Sequence, residues 1–208
     1  MICYASRTGT KRNLDALRAA GWGLLVSRGG VWRHEGFDRI ALDNGAWSDF
    51  RAGRPFDEEE YERFLDWAAA QPFWSDWVVL PDIVAGGLAS LELSLRYMNR
   101  CRSLADLVLI AVQDGMTTSD LEPHVGPHVG IFLGGSTEWK LEQMRLWGEF
   151  CAALACHYHV ARVNSAKRMY VAIFAGADSI DGSSTSRYAV TLPLLDRASR
   201  ARDLFAVC

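Results

Sequence analysis

The chain has 208 residues, 50% hydrophobic and 23% charged, a balance that sets aside disordered, collagen-like and coiled-coil chains and fits one large domain. Its formal charge of −3 offers no global attraction for a polyanion, and no apolar run reaches the roughly 18 residues of a membrane span. The opening MICYASRTGTKR lacks the apolar block and cleavage site of a secretory leader, so a soluble intracellular protein is expected.

In chain order, short β-rich runs alternate with helical stretches. A strand at 2–5 precedes a helix at 11–20, which Gly21 ends, and a second strand lies at 23–27. The segment RGGVWRHEGFD that follows is too short and glycine-rich for a crossover helix, so the third strand, 39–43, comes directly after it. A helix at 57–70 opens on Asp57-Glu58-Glu59-Glu60, acids that the macrodipole favours in a first turn. Strand 77–82, helix 88–102, strand 107–113, helix 119–125 and strand 129–134 come next. Helix 138–154, strand 157–163, helix 165–175 (capped by Gly176), strand 178–181 and helix 192–205 complete the chain. VVLPDIV, LVLIAVQ and VGIFLGG are continuous apolar runs, the mark of parallel strands covered on both faces.

Eight strands in this alternation predict an α/β fold: a single-domain (β/α)8 barrel over 1–208, trimmed below the usual ~250 residues. The rival is an open doubly wound sheet, but its GxGxxG fingerprint is missing after the first strand, where the text is ASRTGTKRN. Five cysteines (Cys3, Cys101, Cys151, Cys156, Cys208) without a CxxC pair read as reduced, mostly core thiols and not as a zinc ribbon.

In such a barrel the chemistry sits at the C-terminal strand ends. Those ends read ALDNGAW (Asp43), VLPDIVAGG (Asp82), AVQDG (Gln113, Asp114), FLGGST (Gly134, Gly135) and SIDGSSTSR (Asp181). A single Asp ending a strand is ordinarily a turn former or helix cap. Several around one rim, between apolar walls, would have perturbed proton affinities suited to acid/base or nucleophilic work. Gly134 and Gly135 would let backbone N–H groups approach a flat ligand. Trp47 is either a base-stacking platform or a plug under its loop. The chain's basic residues are 19 Arg and three Lys. Arg suits bidentate phosphate contacts, although a GC-rich coding sequence gives the same excess. None of the lysines ends a strand, which leaves Schiff-base chemistry without a nucleophile. His157 and His159 have the HxH spacing of metal ligands, but no carboxylate–His partner set accompanies them, so no metal is expected.

Taken together, the strand ends resemble the tRNA-guanine transglycosylase superfamily. ALDNGAWSDF is similar to its TDSGGFQ segment, AVQDG to VQGG, IFLGGS to AIGGL, and GADSIDGSSTSR to G-x-D-x-F-D-x-x-x-x-T-R, in order from about residue 2 to 190. By size the chain resembles the short phage members called deoxypurine-in-DNA protein A. That resemblance implies a nucleophile at Asp181, a general acid/base at Asp43, and purine-reading groups at Asp82, Gln113 and the Gly134-Gly135 backbone. It further implies Trp47 as the stacking aromatic and Arg187 as the arginine after the nucleophile loop. Arg162, Lys167 and Arg168, with Arg51 and Arg54, are candidates for a local basic rim on the nucleic-acid backbone.

The chain departs from the family in three ways. It lacks the CxCxxC zinc site and the appended RNA-binding domain, and it carries Arg162 and Asn164 in HVARVNS where the family has glycines. The implied activity is exchange of guanine in DNA for a 7-deazaguanine such as 7-cyano-7-deazaguanine (preQ0), with no cofactor, in the cytoplasm (the host's, if phage-encoded). Family members often pair, so a homodimer is a further expectation. Three alternatives stay open: the same exchange on tRNA, a nucleoside or sugar glycosidase using the Asp pair with water as acceptor, and a non-catalytic binding barrel.

Overall fold

The computed structural model describes residues 1–7 and 9–201. Strands β1 (Ile2–Ser6), β2 (Gly23–Ser27), β3 (Ile40–Asp43), β4 (Trp77–Val79), β5 (Val108–Val112), β6 (Val129–Leu133), β7 (Tyr158–Val160) and β8 (Ser179–Gly182) pair in sequence order. All neighbours are parallel, and β8 returns to β1 with Tyr4 opposite Asp181, which closes the barrel and excludes the open sheet. Around it run α1 (Lys11–Ala19), α2 (Ala46–Arg51), α3 (Glu58–Ala69), α4 (Leu88–Arg102), α5 (Thr118–Leu121), α6 (Thr137–Ala153), α7 (Ala166–Phe174), α8 (Ser184–Arg187) and α9 (Leu192–Ser199). The described residues form one (β/α)8 barrel. None of its described helices is long and apolar enough to cross a membrane.

Side chains alternate between the two faces of each strand. Outward residues such as Leu24, Val26, Leu42, Val78, Ile110 and Ile131 join the helices in the main core. Inward residues Tyr4, Leu25, Ala41, Trp77, Val79, Leu109 and Ala111 form a second cluster that fills the barrel. Gly23 is needed there: a Cβ would stand 2.5 Å from the Tyr4 ring, which packs edge-on against Trp77 at 5.0 Å. The same parity turns Ser27, Asp43 and Asp181 inward at the strand ends, with Ser27 beside Asp43 in register.

Residues 28–39 cross from β2 to β3 without a helix, which is where the barrel is trimmed. Between β3 and β4 the structure adds α2, a helix the sequence reading missed. Its start is local: Asn44 Oδ1 accepts the Ala46 N–H at 2.9 Å, and Gly45 takes a left-handed φ of 75°. Arg28, wholly buried, donates to Asn44 O at 2.7 Å, to Glu60 at 2.5 Å and to Asp49, tying the end of β2 to α2 and α3.

Asp57 caps α3 as its acidic first turn predicts, accepting the Glu60 N–H at 2.8 Å. Two strands are shorter than expected by three residues or more. β4 stops at Val79 ahead of Pro81, and β7 stops at Val160 because Arg162 turns to φ 58°. α5 is also shorter than the predicted 119–125, and α8 was not predicted. Cys3, Cys101, Cys151 and Cys156 are buried free thiols, while Cys208 and residues 202–205 of the last predicted helix lie outside the described residues.

Candidate active site at the barrel mouth

The C-terminal strand ends surround a cleft of about 690 Å³ with an apolar floor of Leu25, Ala111 and Phe132. Asp43, Asp82 and Asp181 line it together, with Gln113, Gly134, Gly135, Trp47, Arg162, Arg51 and Arg187. Lys167 and Arg168 belong to the first turn of α7 and do not line the cleft, and Arg54 is held by Asp49 at 2.9 Å. Of the expected basic rim, therefore, Arg51, Arg162 and Arg187 reach the cleft, and Arg7, which the sequence reading omitted, joins them. Arg7 is anchored to Glu35 by its Nε at 2.9 Å.

Asp82 is buried, and both its oxygens are occupied. Asn44 Nδ2 donates to Oδ1 at 2.6 Å and Gln113 Nε2 donates to Oδ2. Asn44 is fixed by a further bond to Leu80 O at 2.6 Å, and Gln113 Oε1 accepts the Ala85 N–H. The loops after β3, β4 and β5 are thus tied by one closed polar network. Burial pushes the Asp82 carboxyl up to about 7 against the Asn44 and Gln113 bonds, and the Asp43 charge adds to the rise. Burial likewise lifts Asp43 to about 6, opposed by the Ser27 hydroxyl and reinforced by the charge of Asp181. Asp114, in contrast, is a turn-forming Asp: it accepts the Ser136 N–H at 2.7 Å and its hydroxyl at 2.6 Å.

Asp181 is 5% exposed. Its Oδ1 accepts the Arg162 backbone N–H at 3.1 Å and faces His159 Nε2 at 3.1 Å. The turn beyond it is held by Asn164, whose Oδ1 accepts the N–H groups of Ser183 and Ser184, each at 2.9 Å. A Cβ on Gly182 would lie 2.6 Å from Val163 O, so this position excludes any side chain.

Arg162 and Asn164 are thereby explained. Asn164 braces the turn after Asp181, and Arg162 occupies a left-handed conformation that glycine adopts without strain. The Arg162 guanidinium bonds Gly135 O and lies 4.2 Å over the Trp47 ring, which is 41% exposed and stacked on Phe50. Trp47 is therefore a mouth residue and not a plug. The Gly134 expectation needs correcting: its N–H is spent on Val112 O at 3.0 Å within the barrel and does not face the cleft.

Three groups in and beneath the cleft have roles that the sequence did not reveal. His159 and His157 are not a metal pair: both bond Ser179 Oγ at 2.7 Å, and among the described residues no His/Cys/Asp/Glu group is arranged to hold a metal. Lys140, on α6, donates to Ala161 O from a buried position, where burial and the Arg162 charge lower its ammonium to about 7. Asn44 stood next to Asp43 in the quoted motif, but its partner 38 positions away could not be read from that motif.

Fold and cleft together define an α/β barrel with its site at the C-terminal mouth. No family model matches the chain, and no curated protein matches it. Among solved structures it is similar to a candidate fructose-1,6-biphosphate aldolase from Coccidioides immitis. The two chains are 11% identical, the match covers 99% of this chain and 88% of the other, and the TM-score is 0.63. At that identity the likeness is one of fold.

Proposed function

We propose that the chain is a transglycosylase that exchanges guanine in DNA for a 7-deazaguanine such as preQ0 through a covalent Asp181–deoxyribose intermediate. The observation that carries this reading is the unequal acid pair. Asp181 has one oxygen held by two donors, while Asp43, in the same cleft, is raised to about 6 and so carries its proton near neutral pH more readily than an ordinary carboxyl. One carboxylate held in place to attack and a second carboxyl able to carry a proton are what double displacement at an anomeric carbon uses.

In the first step an Asp181 oxygen attacks C1′. The C1′–N9 bond breaks, its electron pair leaves with guanine, and Asp43 supplies the proton that neutralises the departing base. In the second step the incoming deazaguanine gives its N9 proton to Asp43, N9 attacks C1′, and the Asp181 carboxylate is released. The two inversions give net retention.

Asp82, once ionised, is suited to accept the N1–H and amino hydrogens of guanine. The target nucleotide has to leave the stack, and Trp47 offers an aromatic face once Arg162 moves aside. Arg51 and Arg187 are suited to phosphates at the rim. Among the described residues the cleft lining holds no lysine, so Schiff-base carbon–carbon chemistry is not supported.

The test is a nucleoside digest, read by mass, of DNA and tRNA incubated in parallel with the protein and preQ0. Incorporation into DNA supports the reading; incorporation into tRNA alone changes the polymer; guanine release without an incoming base indicates a glycosidase. Trp47→Ala is expected to weaken oligonucleotide binding by about 1–3 kcal/mol at fixed salt, measured by fluorescence anisotropy. An unchanged affinity would remove Trp47 from base stacking.

A further inference from the structure

A file of hydrogen bonds runs through the barrel interior beneath Asp181. His157 Nε2 meets Ser179 Oγ at 2.7 Å, the same Oγ meets His159 Nδ1 at 2.7 Å, and His159 Nε2 meets Asp181 Oδ1 at 3.1 Å. His159 is fully buried, and its ring is clamped in plane. It stacks on Phe132 at 4.8 Å with only 8° between planes, and Trp77 lies 4.6 Å away. Burial lowers the proton affinity of both imidazoles, so each is neutral at pH 7 and has a single N–H to give.

One arrangement of hydrogens satisfies all three of these bonds. Asp181 as a carboxylate only accepts, so His159 bears its hydrogen on Nε2. Its Nδ1 then accepts the Ser179 hydroxyl hydrogen, and Ser179 Oγ in turn accepts from a hydrogen on His157 Nε2.

We propose that His159 is a positioning residue for the nucleophile: as the Nε2–H tautomer it holds Asp181 Oδ1 and so assigns Oδ2 as the oxygen that attacks C1′. This rests on Asp181 being the nucleophile of the exchange proposed above. The Arg162 N–H, at 3.1 Å, is the second donor to Oδ1, so both donors converge on one oxygen and leave the other to the substrate. Ser179 and His157 fix the tautomer of His159, the task a third group performs wherever an imidazole must point one nitrogen at a reacting carboxyl or hydroxyl. When the ester breaks, negative charge returns to the carboxylate, and the His159 N–H is already directed at it.

Two measurements decide the matter. Nitrogen-15 correlation spectra of histidine-labelled protein at pH 7 are expected to show His159 and His157 as neutral Nε2–H tautomers, with the His159 signals shifting in Asp181→Ala. A His159 hydrogen on Nδ1, or signals indifferent to Asp181→Ala, would overturn the proposal.

In exchange assays His159→Phe is expected to lower kcat about 100-fold with KM little changed, because a nucleophile misplaced by an ångström loses about that much. His159→Gln, which offers an N–H at similar reach, is expected to recover most of the loss. Equal loss in both variants with the fold intact would overturn the positioning role. If wild-type protein exchanges no base on either polymer yet shows the Nε2–H tautomer coupled to Asp181, the transglycosylase reading and with it the attack by Oδ2 fall, and only the His159 hold on Oδ1 stands.

Discussion

Asp181→Asn is expected to lower base exchange by at least about 10⁴-fold while leaving the fold intact. Asparagine keeps an acceptor oxygen for the Arg162 and His159 donors, so neither buried N–H is orphaned, whereas alanine would abandon both at about 1–3 kcal/mol each. What asparagine loses is the second carboxylate oxygen and the charge, the two properties that covalent catalysis at C1′ uses. The expected result has two parts. A labelled oligonucleotide with preQ0 yields no exchanged nucleoside, and denaturing gels show no protein–DNA adduct. The same variant should melt within a few degrees of wild type. A variant retaining more than a few per cent of exchange would remove Asp181 as the nucleophile.

The barrel was legible because its signals are local and repeated. Apolar runs such as LVLIAVQ became β5, buried on both faces, and VGIFLGG became β6, and the helix boundaries lay close to their caps at Asp57, Gly21 and Gly176. The short glycine-rich segment after β2 had no length for a helix and forms none. Where the sequence failed, a tertiary contact overrode a local pattern. α2 went unpredicted: beside the local Asn44 Oδ1 bond that starts it, Arg28 from another strand end holds Asn44 O. Asp43, Asp82, Gln113 and Asp181 were found because strand parity or a strand terminus aims them at the mouth. Lys140 was not found, because a lone lysine on a helix carries no sign that its chain passes inward to Ala161 O. His159 was seen for its spacing with His157, yet spacing alone could not tell a metal pair from two rings sharing Ser179.

Charge is graded across the cleft. The three acids share a space with an apolar floor, so each ionisation raises the cost of the next. Asp43 is raised by burial and by Asp181, and Asp82 further by burial and by Asp43, so Asp43 loses its proton before Asp82. In the reaction proposed, this grading leaves Asp43 mostly ionised at neutral pH, with a protonated fraction that supplies the leaving base. It also leaves Asp82 near its titration point, where a bound purine can tip it.

Asp82 therefore makes base binding and stability depend on pH in opposite senses. With its folded value near 7, it is half-protonated at neutral pH, and only the ionised form accepts both guanine hydrogens. Affinity for a 7-deazaguanine is expected to rise about tenfold per pH unit below 7 and to level off above it, measured by titration calorimetry between pH 5.5 and 8.5. Stability follows the reverse course. The ordinary value of 3.8 applies to the unfolded chain, so between pH 4 and 7 the folded protein keeps a proton that the unfolded chain has released. Raising the pH through that window destabilises the fold, by about 4 kcal/mol at most for three pH units, and the loss is complete above about pH 7.

Asp82→Asn should flatten most of that slope, leaving the smaller contribution of Asp43 between pH 4 and 6. Asparagine cannot accept from both Asn44 and Gln113, at a cost of about 1–3 kcal/mol that offsets the relief of a buried charge. The variant is accordingly expected to fold almost as well as wild type at pH 8 while binding the base about 100-fold more weakly, a charge-assisted pair being lost. Base affinity that ignores pH between 6 and 8, or an Asn variant that still prefers guanine-like bases, would take the purine edge away from Asp82.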